Sequence, residues 1–347
     1  MTETTVTSPG TPGGPPGTAG GTGRGPSGLR LARFRDLALV PAILLLVVVG
    51  ALIEPAFLSG DNLTNVLQQQ TELSLLVLAE AVILIAGKFD LSLESTVGLA
   101  PALGVALVIP AASNGLGTDW PAALGIPICL LIGVLVGAFN GLLILRFKLS
   151  AFIVTLGMLI VLRGLQIGFT GGQNLFALPD SFLYLGNARW VGLPASVWIC
   201  GLAYAIGIVA LGYFRHGRSV YAIGGNVDAA RAAGVRTDRV LWTVFMIGGL
   251  LAALAGLLMT GRLGSVAASQ GNGMIFTVFA AAVIGGVSLD GGKGTLFGAL
   301  CGVLVLGLIN NILTLAGVSA QWIQAIYGGI ILIALMLARV TSGKAQD

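Results

Sequence analysis

Charge is what this 347-residue chain has least of: Asp, Glu, Lys and Arg together make up 9% of it. A soluble domain carries about 25%, so water is not the main solvent here. Histidine occurs once, at His216. That excludes a multi-histidine metal centre and leaves no usable partner for a serine-type hydrolytic set. Cysteine occurs three times, at Cys129, Cys200 and Cys301, each alone in an apolar block. Such spacing fits neither a metal site nor a disulfide framework, and these read as small packing residues. No paired carboxylates stand beside a nucleophile. The chain is therefore expected to carry no catalytic site and no metal of its own.

What the chain does have is apolar sequence: 56% of its residues, with mean hydropathy +0.96. A helix that crosses a bilayer needs about 20 mostly apolar residues. Ten such blocks are predicted, at 37–56, 63–86, 95–112, 122–145, 150–170, 195–214, 240–261, 273–288, 295–316 and 321–339. Gly and Pro interrupt 63–112 and 262–295, where broken or re-entrant helices are an option. The fold class expected is an all-α integral membrane protein, with 37–339 as its transmembrane domain. Residues 1–36 are a Gly/Pro/Ser/Thr-rich tail with a basic end, too poor in apolar surface to fold. No small-x-small cleavage site follows the first block, so it reads as an uncleaved span. Residues 340–347 form a short second tail.

The sparse cations are unevenly placed. With the N-terminus inside, the inner segments hold Arg24, Arg30, Arg33, Arg35, Lys88, Arg146, Lys148, Arg215, Arg218, Arg231, Arg236, Arg239, Lys293, Arg339 and Lys344. Outside are Arg189 and Arg262, while Arg163 lies within a span. This asymmetry predicts both termini and the 215–239 loop on the cytoplasmic side. The partner that composition implies is a lipid bilayer, not nucleic acid.

Gly133–Asn140 with Leu149–Phe152 resembles Gly302–Asn310 with Val318–Gln321. Because these helix pairs run in opposite senses, two inverted five-helix repeats are expected; chance similarity of Leu/Val/Gly-rich sequence is the other reading. Gly133/Gly137/Gly141 and Gly294/Gly298/Gly302 form every-fourth-residue ladders. They allow close helix packing, within one subunit or across a dimer.

Polar residues in apolar sequence are the candidate pathway or gating set: Glu80, Asp90, Ser92, Asn140, Thr155, Arg163, Asn310 and Asn311, with Gln321 beside them. Glu80 and Arg163 lie deepest, where charge is expensive. Pairing with each other, lining a cavity and relaying protons all stay open for these two, while Asn140, Thr155, Asn310, Asn311 and Gln321 either line a pore or make helix–helix hydrogen bonds. Asp90 and Ser92 cap the following helix or take part in gating. The run Gly285–Thr295 lacks the Ser/Thr that a phosphate loop needs after Lys293, where Gly294 stands. It is read as a tight turn whose glycines supply unusual backbone angles.

The longest charged stretch runs Arg215-His-Gly-Arg218 and then Tyr221-Ala-Ile-Gly-Gly-Asn226-Val-Asp228-Ala-Ala-Arg231-Ala-Ala-Gly234-Val235. Ala229, Ala230, Ala232 and Ala233 favour helix. Gly224 and Gly225 are expected to make the opening turn, Asn226 the cap and Gly234 the exit. Arg231 contacts a partner or stays solvated.

This stretch resembles the cytoplasmic coupling segment of permease subunits in ribose-type ATP-binding-cassette (ABC) importers. Four further elements resemble that family in the same order: Phe89-Asp-Leu-Ser92; Ala151–Leu156 with Leu162-Arg-Gly164; Ile284–Leu289 with Gly291–Gly294; and Leu308–Asn311 with Gly317–Ser319. Glu94 stands where the family often has Gly, and Val227-Asp228 where it often has Glu. The resemblance implies a bacterial cytoplasmic-membrane permease that moves a ribose- or xylose-like sugar. It implies a homodimer, a cytoplasmic ATP-binding subunit that holds ATP and Mg²⁺, and an extracytoplasmic sugar-binding protein. Gly224, Gly225, Asn226, Asp228, Ala229, Ala230, Arg231 and Gly234 would meet the ATPase. The 171–194 loop, with Gln173, Asn174, Asp180, Asn187 and Arg189, is either the binding-protein contact or an exposed connection. A nucleoside or autoinducer permease and an ion-coupled carrier are the alternatives.

Overall fold

The computed structural model describes residues 39–118 and 120–342. The expected tail at 1–36 and residues 343–347 of the second tail lie outside the described residues. The chain is helical almost throughout. In order come α1 (Leu39–Ile53), α2 (Gly60–Ile85), α3 (Leu93–Ala106), α4 (Gly125–Gly141), α5 (Ala151–Thr170) and α6 (Asp180–Asn187). A two-residue hairpin follows, β1 (Arg189–Trp190) and β2 (Leu193–Pro194). Then come α7 (Ala195–Tyr213), α8 (Arg215–Gly225), α9 (Val227–Ala232), α10 (Thr237–Leu263), α11 (Met274–Ile284), α12 (Leu296–Leu315) and α13 (Ala320–Ser342).

Local sequence explains where the helices begin and end. Ser59 caps α2 by accepting from Asn62 N–H, and Asp61 sits in its first turn. Thr295 caps α12 through Gly298 N–H. Gly171 and Gly264 adopt left-handed backbone and close α5 and α10. A helix lies at each of the ten predicted blocks. Among the described residues, five are long and apolar enough to cross a membrane: Ala122–Arg146 (α4 with its flanking turns), α5, α7, α10 and α12.

The two regions that Gly and Pro interrupt hold the short helices α3 and α11. Every residue of α3 except Leu103 is buried. Such a helix is surrounded by protein, and that is where non-spanning backbone is tolerated at membrane depth. The predicted span 273–288 is helical only to Ile284, because Gly286 turns to φ 80°.

Helix α10 is the central post and packs against α2, α3, α4 and α6. Its 27 residues span about 40 Å. A Cβ on Gly133, Gly137 or Gly249 would strike the facing backbone of the α4–α10 seam, while Gly298 and Gly302 lie on the backbone of Ala281 and Gly285. Both glycine ladders thus bring helices of one chain together. Outward faces are apolar, as Leu131 and Leu135 on α4, Ile153 and Ile160 on α5 and Leu202 and Ile206 on α7 show. Because α10 runs from Thr237 to the Gly261–Gly186 contact, it separates two ends. One, the loop face, carries 215–239; the other carries 60–70, 171–194 and 310–318.

Candidate functional site

Three loops that are distant in sequence meet at the loop face. Helix α8 buries Gly217, Val220 and Ile223 against the protein. It ends at Gly225, and Asn226 then breaks the chain into extended backbone. Asn226 Oδ1 accepts from Asp228 N–H (3.0 Å) and Ala229 N–H (2.9 Å), capping α9 as expected. Gly234 makes the exit at φ 82°. The segment is two short helices, not one.

Gly224 and Gly225 do not make the opening turn; they are the last residues of α8. Gly224 instead lies directly on other backbone: a Cβ there would collide with Ile85 O and sit 2.5 Å from Gly292 N. Gly292 N–H donates to Ile85 O (2.8 Å). A Cβ on Gly291 would come within 2.7 Å of Gly87 Cα and 2.8 Å of Gly224 O. Gly87, Gly291 and Gly292 all have positive φ, which only glycine adopts freely. Tyr221 OH donates to Gly294 O (2.9 Å). The end of α2, the 285–295 turn and α8 are therefore joined backbone to backbone.

Of the α9 residues, Ala230 is buried while Ala229 and Ala232 face outward. Arg231 is exposed and lies 3.8 Å from both Asp228 and Asp238. Beside α9, Arg215, His216, Arg236 and Arg239 line a basic groove of about 420 Å³.

From Gly87 the chain turns inward to the first buried polar cluster. Asp90, Ser92, Asn140 and Glu80 are all buried. Asp90 Oδ1 accepts from Ser92 Oγ–H (2.6 Å) and Ser92 N–H (3.0 Å). Asn140 Nδ2 donates to Ser92 Oγ (2.8 Å) and Asp90 Oδ2 (3.3 Å). Glu80 Oε1 accepts from Asp90 N–H (3.4 Å). Ser92 occupies the first position before α3 but makes no side-chain cap bond. Its hydroxyl is taken by Asp90, which corrects the expected capping role. Phe89 packs edge-on to Phe152 of α5 and against Phe279 of α11.

Glu80 and Arg163 do not pair. Arg163 Nη2 lies 3.5 Å from Glu94 Oε1, and its Nη1 donates to Gln270 O (2.7 Å) and Gln166 Oε1 (3.1 Å). Glu94 Oε2 accepts from Ile275 N–H (3.0 Å) at the start of α11. Gln270 Nε2 donates to Val97 O, Gly256 O and Thr260 Oγ1. This second cluster fastens α3, α5, α10 and α11 together.

Thr155 stands apart, its hydroxyl bonded to Ala151 O of its own helix (2.8 Å). Asn310 and Asn311 lie at the opposite end, on α12. There Glu72, buried in α2, accepts from Arg262 Nε (2.8 Å). Glu72, Gln166 and Gln270 are site residues that sequence reading did not single out. The one signal for Glu72 is the polar run Gln68-Gln-Gln-Thr-Glu72 just before apolar sequence.

In the 171–194 loop, Asn174 Oδ1 accepts from Ala268 N–H, and Asn187 Nδ2 donates to Gly261 O. The loop is built against α10, with the hairpin tip at Val191 exposed.

A family described as "Branched-chain amino acid transport system / permease component" matches residues 62–335. The chain belongs to this permease family. It is similar to the ribose import permease protein RbsC of Escherichia coli (strain K12), 33% identical over 85% of this chain and 91% of the relative. The RbsC of Bacillus subtilis (strain 168) is 35% identical over 86% and 91%. The autoinducer 2 import system permease protein LsrC of Enterobacter sp. (strain 638) is 36% identical over 88% and 87%. No solved structure matches. The matched stretch takes in all three loops of the glycine junction and both buried clusters. In this permease, then, those features belong to the membrane-embedded transport body.

Proposed function

We propose that this chain is the membrane permease of an ABC importer for a neutral monosaccharide, ribose- or xylose-like, in a bacterial cytoplasmic membrane. In this reading all ten helices lie in the membrane as two inverted halves with cytoplasmic termini, and two copies form the transporter. ATP and Mg²⁺ reside on a separate ATPase subunit, and an extracytoplasmic binding protein delivers the sugar to the 171–194 side.

One observation carries the reading: the glycine junction. An outward pair of short helices is joined without intervening side chains to the end of α2 and to the 285–295 turn. A push on α9 would therefore reach Gly87, and from there Phe89 and Asp90, which touch α2, α4, α5 and α11. An ATPase that binds α9 differently in its open and closed states would shift the spans between inward and outward openings. The alternative of an ion-coupled carrier uses buried carboxylates such as Glu80, but gives the outward α9 no task. The relatives named for autoinducer 2 support another small polar solute as cargo.

Ala229 and Ala232 are the exposed alanines to test, since a charge at buried Ala230 would disturb packing. Wild type solubilised in detergent should co-purify an ATP-binding subunit, and Ala229→Glu/Ala232→Glu should lose it while eluting as wild type. A stable protein with no ATPase partner in either form would sink the reading and favour ion coupling.

A further inference from the structure

We infer that the end opposite the loop face holds a binding subsite for a neutral polyhydroxylated solute, in the groove between α2 and α12. This rests on the transport reading, which names the cargo, and adds the place on the chain that reading leaves open. The groove encloses about 210 Å³, room for about seven waters at ~30 Å³ each. It falls below the ~300–1,000 Å³ of drug-sized sites, so it suits a solute on the scale of one monosaccharide.

Its polar walls are mostly amides, with Val66, Gly307 and Leu315 completing the lining. Asn62, Asn65, Gln69 and Gln70 come from α2, and Asn310 and Asn311 from α12, with the Thr314 hydroxyl beside them and no charged residue in the lining. On each helix these positions recur at three- and four-residue steps, so each presents one polar stripe to the other. A carboxamide both donates and accepts, as a sugar hydroxyl does. A cage of amides without charge can satisfy several hydroxyls but cannot compensate a phosphate or carboxylate.

Two details separate this groove from a mere helix contact. Asn62 and Asn311 bond reciprocally, each Nδ2 to the other's Oδ1 at 2.9 Å. That pair fixes α2 to α12 at one end, and Gly307 shapes the other. Its missing Cβ would lie 2.6 Å from Gln70 Cδ, so the Gln70 side chain rests on the α12 backbone. There Gln70 Oε1 is buried and has no hydrogen-bond partner among the described residues. A buried acceptor left open costs free energy, which leaves the Gln70 amide the member of this lining with most to gain from a shift toward a new donor.

The test is ligand-observed NMR on the full-length protein in detergent, with D-ribose as neutral probe and D-ribose 5-phosphate as charged control. Wild type should bind ribose and reject the phosphate. Gly307→Ala pushes only the flexible end of Gln70 into the groove, so the fold should survive. It should weaken ribose binding roughly tenfold, as should Asn310→Leu, which removes about one hydrogen-bonding group. Ribose binding unchanged in both variants, or phosphate binding as well as ribose, overturns the subsite. ATPase co-purification is measured on the same samples. If it persists while the subsite fails, the importer reading stands alone; if the wild type shows neither, both fall.

Discussion

The two ends of helix α2 are fastened in opposite ways. At the loop face, Gly87, Gly224, Gly291 and Gly292 set backbone on backbone. At its other end α2 is joined by side chains: the Asn62–Asn311 pair, Gln68 to Gly186 O (2.7 Å) and Glu72 to Arg262 (2.8 Å). A backbone junction has no rotamers to exchange, so its parts move together. Side-chain bonds can be traded one at a time for bonds to a solute or to water. Rigid coupling at one end and exchangeable contacts at the other suit a machine driven from one face and loaded from the other.

The largest effect is expected where the far end carries charge. Arg262→Leu leaves Glu72, 2% exposed, without its cation, and breaking a buried pair costs about 3–5 kcal/mol. Adding Glu72→Leu removes the orphaned charge and should restore most of that loss. Thermal unfolding of the single and double variants in detergent measures both. A double variant no better than the single would show that Glu72 is held by groups other than Arg262.

At the loop face two adjacent glycines should part company. Gly224→Ala places a Cβ against Ile85 O and Gly292 N, backbone that cannot swing aside, and should cost about 1–3 kcal/mol. Gly225→Ala meets open space and should change stability by less than about 0.5 kcal/mol. Under the proposed ATPase coupling, ATP-driven transport should be lost in the first and kept in the second. Equal behaviour of the two would remove the case for a backbone junction.

Much of the loop face was legible in sequence because its determinants are local. Asn226 followed by alanines announces a capped helix, and Gly285–Gly294 announces a turn. The partner loops of the junction were not legible, since nothing in Tyr221–Val235 says that Gly224 rests on Ile85 across the fold. That same gap produced the wrong role for Gly224 and Gly225, whose helical backbone looks in sequence like a turn. The buried ionisable residues were visible as costly intrusions into apolar sequence. Their pairing was not, because Arg163 and Glu94 meet only after α3 and α5 have packed, and Glu94 was read merely as a departure from the family pattern. Helix positions followed from apolar length. The shortness of α3 and α11 followed only from Gly and Pro interruptions, whose consequences depend on what surrounds them.

The smallest effect lies at the tip of the far end, in the hairpin of the 171–194 loop. Val191 and Gly192 form its two-residue turn with φ 51° and 83°. Positive φ at both places is the geometry that favours Asn-Gly, and a β-branched residue is poorly suited to it. Val191 is also 92% exposed, so no packing offsets the strain. Val191→Asn should relieve about 1 kcal/mol. Amide exchange across Arg189–Ala195, where Ala195 N–H bonds Ala188 O at 2.7 Å, should slow roughly fivefold. If the tip meets the extracytoplasmic binding protein, the same variant should weaken that association while ATPase co-purification is unchanged. The variant thus separates the exchangeable end from the rigid one. A hairpin that gains protection yet docks as before would mark Val191 as strained without being a contact.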